Sequence, residues 1–260
     1  MPGTEYRDLR VAGQATVLIT LNRPDKRNAL SLGLIRELTA ALRDASVAPA
    51  TRAIVIEGAG AAFSAGHDLS EMIDRDESFY RELFSLCTVM MATIHELPQP
   101  VIAKVNGVAT AAGCQLVAAC DLAIASVSAR FATPGVKIGL FCTTPMVPLS
   151  RAVGRKRALQ MLLTGEPIDA STALDWGLVN RVVAVEQLEA AVAELAAAIS
   201  RSSSYTVALG KRAFYDQIDR PESDAYEQCK AVMADNALAD DAQEGMSAFL
   251  DKRAPRWRGV

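Results

Sequence analysis

The chain has 260 residues, a mass of 27.7 kDa, a net charge of −3 and hydrophobic side chains at 50% of its positions. The basic residues are spread along the chain, so charge gives no indication of a nucleic-acid partner. No apolar run reaches the ~18 residues of a membrane span, and residues 1–10 are polar and charged where a secretory signal would be apolar. We therefore expect a cytoplasmic protein with neither a nucleic-acid nor a membrane partner.

Along the chain, strand-like and helix-like patterns alternate as they do in layered α/β domains. The first is a β-branched run at residues 16–21, which ends at the turn sequence Asn-Arg-Pro-Asp. The predicted elements are strand 16–21, helix 31–43, strand 53–56, helix 79–97, strand 101–105, helix 116–119 and strand 121–125.

After residue 183 the pattern changes to helices without a further strand. The predicted helices span residues 186–200, 204–217, 225–235 and 243–252. We place a boundary near residue 200, between an α/β body at residues 1–200 and a helical region at residues 201–260. The length alone fits either one extended domain or two small ones.

The cysteines argue against both a disulfide-stabilised and a zinc-stabilised fold. Their number is odd and no CxxC pair occurs, which is untypical of a disulfide framework or a zinc site. We therefore predict buried thiols and no metal site. The five are Cys87, Cys114, Cys120, Cys142 and Cys229.

Two glycine-containing loops each follow a predicted strand and precede a helical stretch. The first, at residues 62–72, has small residues that let the backbone approach a ligand. Within it Asp68 and Glu71 have the spacing of a capping box, which favours a helix cap for Asp68. The second, at residues 106–115, offers backbone amides at a helix N-terminus, where the dipole favours negative charge. Two such sites facing each other would form an oxyanion hole.

Short sequence pieces in a fixed order resemble the crotonases, the enoyl-CoA hydratase/isomerase family, over nearly the whole chain. Within the family the chain is most similar to the enoyl-CoA hydratase domain-containing protein 3 subgroup, through residues 64–69, 112–116 and 131–142. The pieces are Leu21-Asn-Arg-Pro, Asn28-Ala-Leu, residues 63–69, Pro100-Val-Ile-Ala-Lys-Val-Asn-Gly, Gly113-Cys-Gln-Leu, Cys120-Asp-Leu-Ala-Ile-Ala, Leu163-Thr-Gly, Gly177-Leu-Val and residues 244–253.

The resemblance implies a crotonase-like α/β spiral of ββα units in two roughly perpendicular sheets, with C-terminal helices that assemble a homotrimer or a hexamer of two trimers. It implies an acyl-CoA thioester as ligand and a role in fatty-acid or other acyl-CoA metabolism. Coenzyme A is then part of the substrate, and no separate cofactor is bound.

The resemblance also implies particular site residues. The backbone N–H groups of His67 and Ala112 match the family's oxyanion hole. The family usually has glycine where Ala112 stands, so a positive φ at that residue would be strained. Positions near the coenzyme are matched by Lys26, Arg27, Ala29, Ala65, Asp68 and Leu69 and, from a neighbouring subunit, by Phe249 and Lys252.

The sequence departs from the family at both carboxylates that hydratases of this kind use. Gln115 and Gly135 stand at the two glutamate positions, and neither an amide nor a glycine can exchange a proton. General acid–base groups contribute typically ~10²–10⁴-fold, so we expect hydration to be slow. Two nearby side chains could act instead: His67, whose ordinary pKa lies near neutrality, and Cys142, if its thiolate were stabilised.

Three functions therefore stay open. One is a lyase or isomerase that stabilises a thioester enolate, with hydration impaired. Another is decarboxylation of a malonyl-type thioester, because Ser64-Ala-Gly-His-Asp resembles the loop of the family's methylmalonyl-CoA decarboxylases, although their tyrosine has no counterpart near Cys142. The third is a non-catalytic acyl-CoA-binding or regulatory protein.

Overall fold

The computed structural model describes residues 6–260, which form ten strands and ten α-helices. The strands β1 to β10 are Leu9–Ala12, Thr16–Leu21, Ala53–Gly58, Ala62–Ser64, Val101–Val105, Val108–Thr110, Leu122–Ser126, Arg130–Ala132, Ile168–Asp169 and Arg181–Val183. The helices α1 to α10 are Leu32–Val47, Glu77–Glu96, Ala112–Ala119, Met146–Val153, Arg155–Thr164, Ala170–Trp176, Leu188–Ser200, Ser204–Gln217, Glu222–Leu238 and Asp240–Leu250.

The strands form two sheets. The six-stranded sheet has the order β1-β2-β3-β5-β7-β10 and is parallel except between β1 and β2. The four-stranded sheet has the order β4-β6-β8-β9 and is parallel except between β8 and β9. Three times, a helix leads into a long strand of the larger sheet and then a short strand of the smaller one, through α1-β3-β4, α2-β5-β6 and α3-β7-β8. This repeat confirms the predicted crotonase-like ββα arrangement.

The larger sheet is buried on both faces, which explains why its strands read as continuous apolar runs. On one face, Ile54 and Ile56 of β3 belong to the main core with α1 and α2. On the other face, Val55 joins Leu188 and Val192 of α7 in a smaller core. Alternate residues of one strand thus contact different helix layers.

The sequence pattern does not predict β1, β10, the smaller sheet or helices α4 to α6, although every predicted element is present with ends shifted by a few residues. The strands of the smaller sheet are two or three residues long, too short to show a period of two. These short strands can be recognised only from their pairing with other strands: β6, for example, pairs with β4 on one side and with β8 on the other. Their ends matter because the loops after β4 and β6 form the candidate site.

The C-terminal helices contribute little to the core of the described chain. No strand follows β10 in residues 6–260, as predicted, and α8 and α9 bury no side chain fully. No helix of the described residues is long and apolar enough to cross a membrane. The division into two regions at residue 200 stays a prediction.

Candidate active site

The loop after β4 positions the amide of His67. A parallel bridge joins this loop to Leu30, whose N–H donates to the carbonyl of Gly66 at 2.7 Å and whose carbonyl accepts from the N–H of Asp68 at 3.2 Å. In this pattern the residue between them, His67, points its own N–H away from the partner strand. No acceptor within residues 6–260 is bonded to that N–H.

The second amide belongs to Ala112, the first residue of α3, and its N–H is likewise unpaired within the described chain. The positive φ considered for this position occurs one residue earlier, at Ala111, with a φ of 50°. Helix α3 approaches β4 closely because Gly113 has no side chain: a Cβ there would lie 2.3 Å from the carbonyl oxygen of Ser64. Ala112 and His67 both line one cavity.

That cavity has a volume of about 460 Å³, within the range typical of small-molecule sites. Its further walls come from α2 and from residues 134–145 between β8 and α4. No Asp or Glu is among the residues that line it. The apolar part of the lining includes Leu69, Phe84, Ile138, Leu140, Phe141 and Pro145.

The imidazole of His67 is buried against this lining. Its ring lies edge-on to Phe84, with 5.6 Å between ring centroids, and neither ring nitrogen has a hydrogen-bond partner in the described chain. Burial lowers the pKa of His67 from 6.5 to about 4, and the backbone of Leu30 offsets this only in part. The side chain is therefore neutral at pH 7, contrary to the near-neutral pKa expected from its residue type.

The two positions that hold glutamates in hydratases are occupied differently. Gln115 is buried at 4% exposure, one helical turn after Ala112, and its side-chain oxygen has no hydrogen-bond partner within residues 6–260. Gly135 lines the cavity, and a Cβ on it would lie 1.9 Å from the carbonyl oxygen of Leu140. The neighbouring loop thus fills the space that a side chain at 135 would need.

Two further titratable side chains line the cavity. Cys142 is a free, buried thiol, and burial raises its pKa although a backbone hydrogen bond from Gly135 opposes the shift. Lys137 is exposed and donates to Glu166 at 2.6 Å. The condition set for Cys142 to act, a stabilised thiolate, is therefore not met in this environment.

The loop that precedes α1 flanks the cavity and carries three predicted coenzyme-binding residues, Lys26, Arg27 and Ala29. Arg27 and Asn28 both have positive φ, at 50° and 53°. The buried Asn28 side chain holds this shape by donating to the carbonyls of Ala59 and Ala62 at 2.9 and 2.8 Å. Lys26 and Arg27 are exposed and form no ion pair in the described chain, so both cations are available to a ligand.

Arg23 joins this loop to the loop after β4, a role that the site prediction missed. Its guanidinium donates to the carbonyl of Ala29 at 2.7 Å and to the carboxylate of Asp68 at 2.9 Å. Burial alone would raise the pKa of Asp68, but hydrogen bonds from Ser70 and Arg23 outweigh it, so this pKa lies below its usual value. In the sequence, Arg23 was visible only as part of the motif Leu21-Asn-Arg-Pro. The buried carboxylate of Asp68 requires a partner, and Arg23 supplies it.

Asp68 caps a helix as predicted, but not through a capping box. Its side chain accepts from the N–H of Ser70 at the start of the 3₁₀ helix Leu69–Glu71. Glu71 instead accepts from the N–H of Leu32 at 2.9 Å, at the start of α1. Asp68 and Glu71 therefore connect the starts of the 3₁₀ helix and of α1 to the loop after β4.

The remaining predicted residues divide into two groups. Ala65 and Leu69 line the cavity beside His67. Phe249 and Lys252 lie at the end of α10, are exposed, and do not line it. Their contact with a neighbouring subunit's ligand stays a prediction.

Two sheets joined by repeated ββα units define a fold of the crotonase type. The chain belongs to the enoyl-CoA hydratase/isomerase family, whose pattern matches residues 12–260. A Xenopus laevis relative, "Enoyl-CoA hydratase domain-containing protein 3, mitochondrial", is 48% identical over 240 residues, which are 92% of this chain and 82% of that protein.

Two solved structures show the same fold. An enoyl-CoA hydratase from Mycobacterium smegmatis superposes with a TM-score of 0.94 at 46% identity, covering 96% of this chain and 99% of that one. Human enoyl-CoA hydratase domain-containing protein 3 gives a TM-score of 0.94 at 44% identity, covering 96% and 100%. The predicted fold and subgroup resemblance are confirmed.

The expected cytoplasmic location is wrong. Relatives from Xenopus laevis, Mus musculus and Homo sapiens are named as mitochondrial proteins. The expectation relied on the missing apolar core of a secretory signal. Mitochondrial transit peptides are amphipathic and rich in arginine, so that criterion does not exclude them.

Proposed function

We propose that the protein binds acyl-CoA thioesters in this cavity and polarises the thioester carbonyl between the backbone amides of His67 and Ala112. The observation that carries the proposal is that both amides are unpaired within residues 6–260 and belong to residues that line one largely apolar cavity. Donors fixed in such surroundings need no rearrangement when negative charge develops on the oxygen. Membership of the enoyl-CoA hydratase/isomerase family supports a thioester as the ligand.

The reaction that suits this site is one that needs no carboxylate base. In decarboxylation of a malonyl-type thioester, the bond between the carboxylate carbon and the α-carbon breaks, carbon dioxide leaves, and the electron pair enters the enolate. The two amides would stabilise the enolate oxygen, and the α-carbon would take a proton from water. His67 is a poor source of that proton, because a pKa of about 4 leaves little imidazolium at pH 7.

A second candidate is binding without turnover. The lowered pKa of His67 and the raised pKa of Cys142 favour it, because neither side chain titrates near neutral pH. Gln115 and Gly135 supply no proton either. Turnover assays separate the two candidates.

The polarised carbonyl can be tested by comparing acetyl-CoA with the thioether S-ethyl-CoA, which lacks the carbonyl oxygen. Two added hydrogen bonds predict roughly tenfold tighter binding of the thioester by calorimetry. Infrared spectra of carbonyl-¹³C acetyl-CoA should show a lower stretching frequency when bound. Equal affinities together with an unshifted carbonyl band would contradict the proposal.

The reaction can be assigned with crotonyl-, malonyl- and methylmalonyl-CoA. We expect crotonyl-CoA hydration at least ~10²-fold below that of a two-glutamate hydratase, and release of carbon dioxide from a malonyl thioester. His67→Ala should keep affinity within several-fold, because the donor is the backbone N–H. Absence of turnover with all three thioesters would support binding alone, and rapid hydration would reject this reading of Gln115 and Gly135.

A further inference from the structure

Phe84 of α2 lines two separate cavities. One is the pocket of about 460 Å³ that holds the two oxyanion amides. The other is a shallow, open groove on the outer face of α2, and all its lining residues belong to that helix. The phenyl ring is thus a shared wall between the pocket and the groove.

The ring of Phe84 is held in place from the inside. It meets the imidazole of His67 edge-on, with an interplanar angle of 75°. It is also packed against the main core of the protein. Because His67 supplies one oxyanion amide, this wall stands close to the position of the thioester carbonyl.

The groove has the character of a surface for an alkyl chain. Val89 contributes an apolar side chain at 40% exposure, and Tyr80 and Thr88 lie beside it. The two charged lining residues, Glu77 and Arg81, form an ion pair with each other. No uncompensated charge therefore repels an apolar chain or attracts the phosphates of the coenzyme.

We infer that Phe84 limits the length of the acyl chain that the pocket accepts, and that a longer chain passes into the α2 groove when the ring is replaced by a smaller side chain. The inference rests on the proposed binding of acyl-CoA thioesters. Each additional buried methylene strengthens binding by roughly fourfold, so affinity should rise with chain length until the chain meets the ring. Beyond that length the added methylenes gain no apolar contact.

The experiment measures dissociation constants of butanoyl-, octanoyl- and hexadecanoyl-CoA by calorimetry on the full chain. The variants are Phe84→Ala and the matched control Phe79→Ala, a half-buried phenylalanine of the same helix that lines neither cavity. Unaltered protein and Phe79→Ala should bind hexadecanoyl-CoA no more tightly than octanoyl-CoA. Phe84→Ala should bind hexadecanoyl-CoA at least ~10-fold more tightly than the unaltered protein, with butanoyl-CoA changed only a few-fold.

Circular dichroism and thermal unfolding establish that each variant is folded. If Phe84→Ala is not, Phe84→Leu should shift the preference in the same direction by less, and Phe84→Trp should weaken octanoyl-CoA binding. An unchanged length profile in the folded Phe84 variants would overturn the inference while leaving thioester binding intact. Failure of the unaltered protein to bind any of the three thioesters would instead refute the proposed function, and the inference with it.

Discussion

His67 and Cys142 are the pocket side chains whose ordinary pKa values lie nearest neutrality, and burial moves both away from it. Burial disfavours the charged form of each group, so the pKa of the histidine falls and that of the thiol rises. The hydrogen-bond donors of the candidate site are instead the backbone amides of His67 and Ala112. The function proposed for this site therefore relies on hydrogen bonding to oxygen rather than on proton transfer by side chains.

The buried imidazole should make stability depend on pH. In the unfolded chain His67 takes up a proton near pH 6.5, whereas in the folded protein it does so near 4. The unfolded state binds more protons between these values, so stability is fully present above about pH 6.5 and falls as the pH drops towards 4, by roughly 3 kcal/mol. Urea unfolding between pH 7 and 4 should show a smaller loss for His67→Gln than for the unaltered protein. If both proteins lost the same stability between pH 7 and 4, the imidazole would already be solvated in the folded state.

Gly135 should tolerate no side chain. Because a Cβ would meet the carbonyl oxygen of Leu140 at 1.9 Å, Gly135→Ala should lower the free energy of unfolding by about 1–3 kcal/mol. The matched control is Gly210→Ala in exposed α8, where no atom lies within 4 Å of the added Cβ. That change should raise stability by about 0.5–1 kcal/mol, because alanine is the better helix former. Equal denaturation midpoints for the two variants would contradict the closed loop at Gly135.

Helix α8 is joined to the body by an ion pair between the largely buried side chains of Lys211 and Asp121. The ammonium of Lys211 donates to the carbonyls of Ile94 and Gln99 at 2.7 and 2.9 Å and to the carboxylate of Asp121 at 2.6 Å. Tyr215, one turn further along α8, donates to the other oxygen of Asp121 at 2.7 Å. The cluster therefore joins α8 to the ends of α2 and α3, the helices that carry Phe84 and the Ala112 amide.

Removing the cation should be costly because it leaves Asp121 buried without its main partner. Lys211→Met is expected to destabilise the fold by about 3–5 kcal/mol. Lys230→Met on α9 is the control, since its side chain is 70% exposed and pairs with Glu227 three residues earlier; it should change stability by no more than about 0.5 kcal/mol. Chemical denaturation measures both variants. If the double variant Lys211→Met/Asp121→Asn were no more stable than Lys211→Met, the unpaired carboxylate would not be the cause.

Over the whole molecule, large apolar side chains remain exposed on the C-terminal helices. A single chain cannot cover this surface, which is typical of a face that packs against other subunits. The exposed residues include Phe214, Ile218, Tyr226, Met233, Leu238, Met246, Phe249 and Leu250. The predicted trimer or hexamer is consistent with this surface.

Light scattering at micromolar concentration should give a mass of three or six chains of 27.7 kDa. Replacing Phe249 and Leu250, which are 82% and 78% exposed, by serine should shift the distribution towards smaller species. Val47→Ser is the control, because Val47 is 79% exposed but lies on α1 of the body. A monomer for the unaltered protein would contradict the oligomer prediction, and dissociation by Val47→Ser would place the interface elsewhere.

The sequence by itself determined the alternating strands and helices, the helical C-terminal region, the family and the positions of the two glycine-containing loops. These features are local: buried parallel strands are continuous apolar runs, and glycine-containing loops at helix starts have recognisable composition. The identities of Gln115 and Gly135 also follow directly from the sequence.

Only the tertiary structure decided the smaller sheet, the pairing of Arg23 with Asp68, the pKa of His67 and the closed loop at Gly135. Each depends on atoms distant in sequence: short strands are defined by their partners, and a pKa by how much protein surrounds the group. The position of the Phe84 ring between the pocket and the groove also required the tertiary structure. Helical spacing predicts the face of α2 on which Phe84 lies, but not the pocket and the groove that it lines.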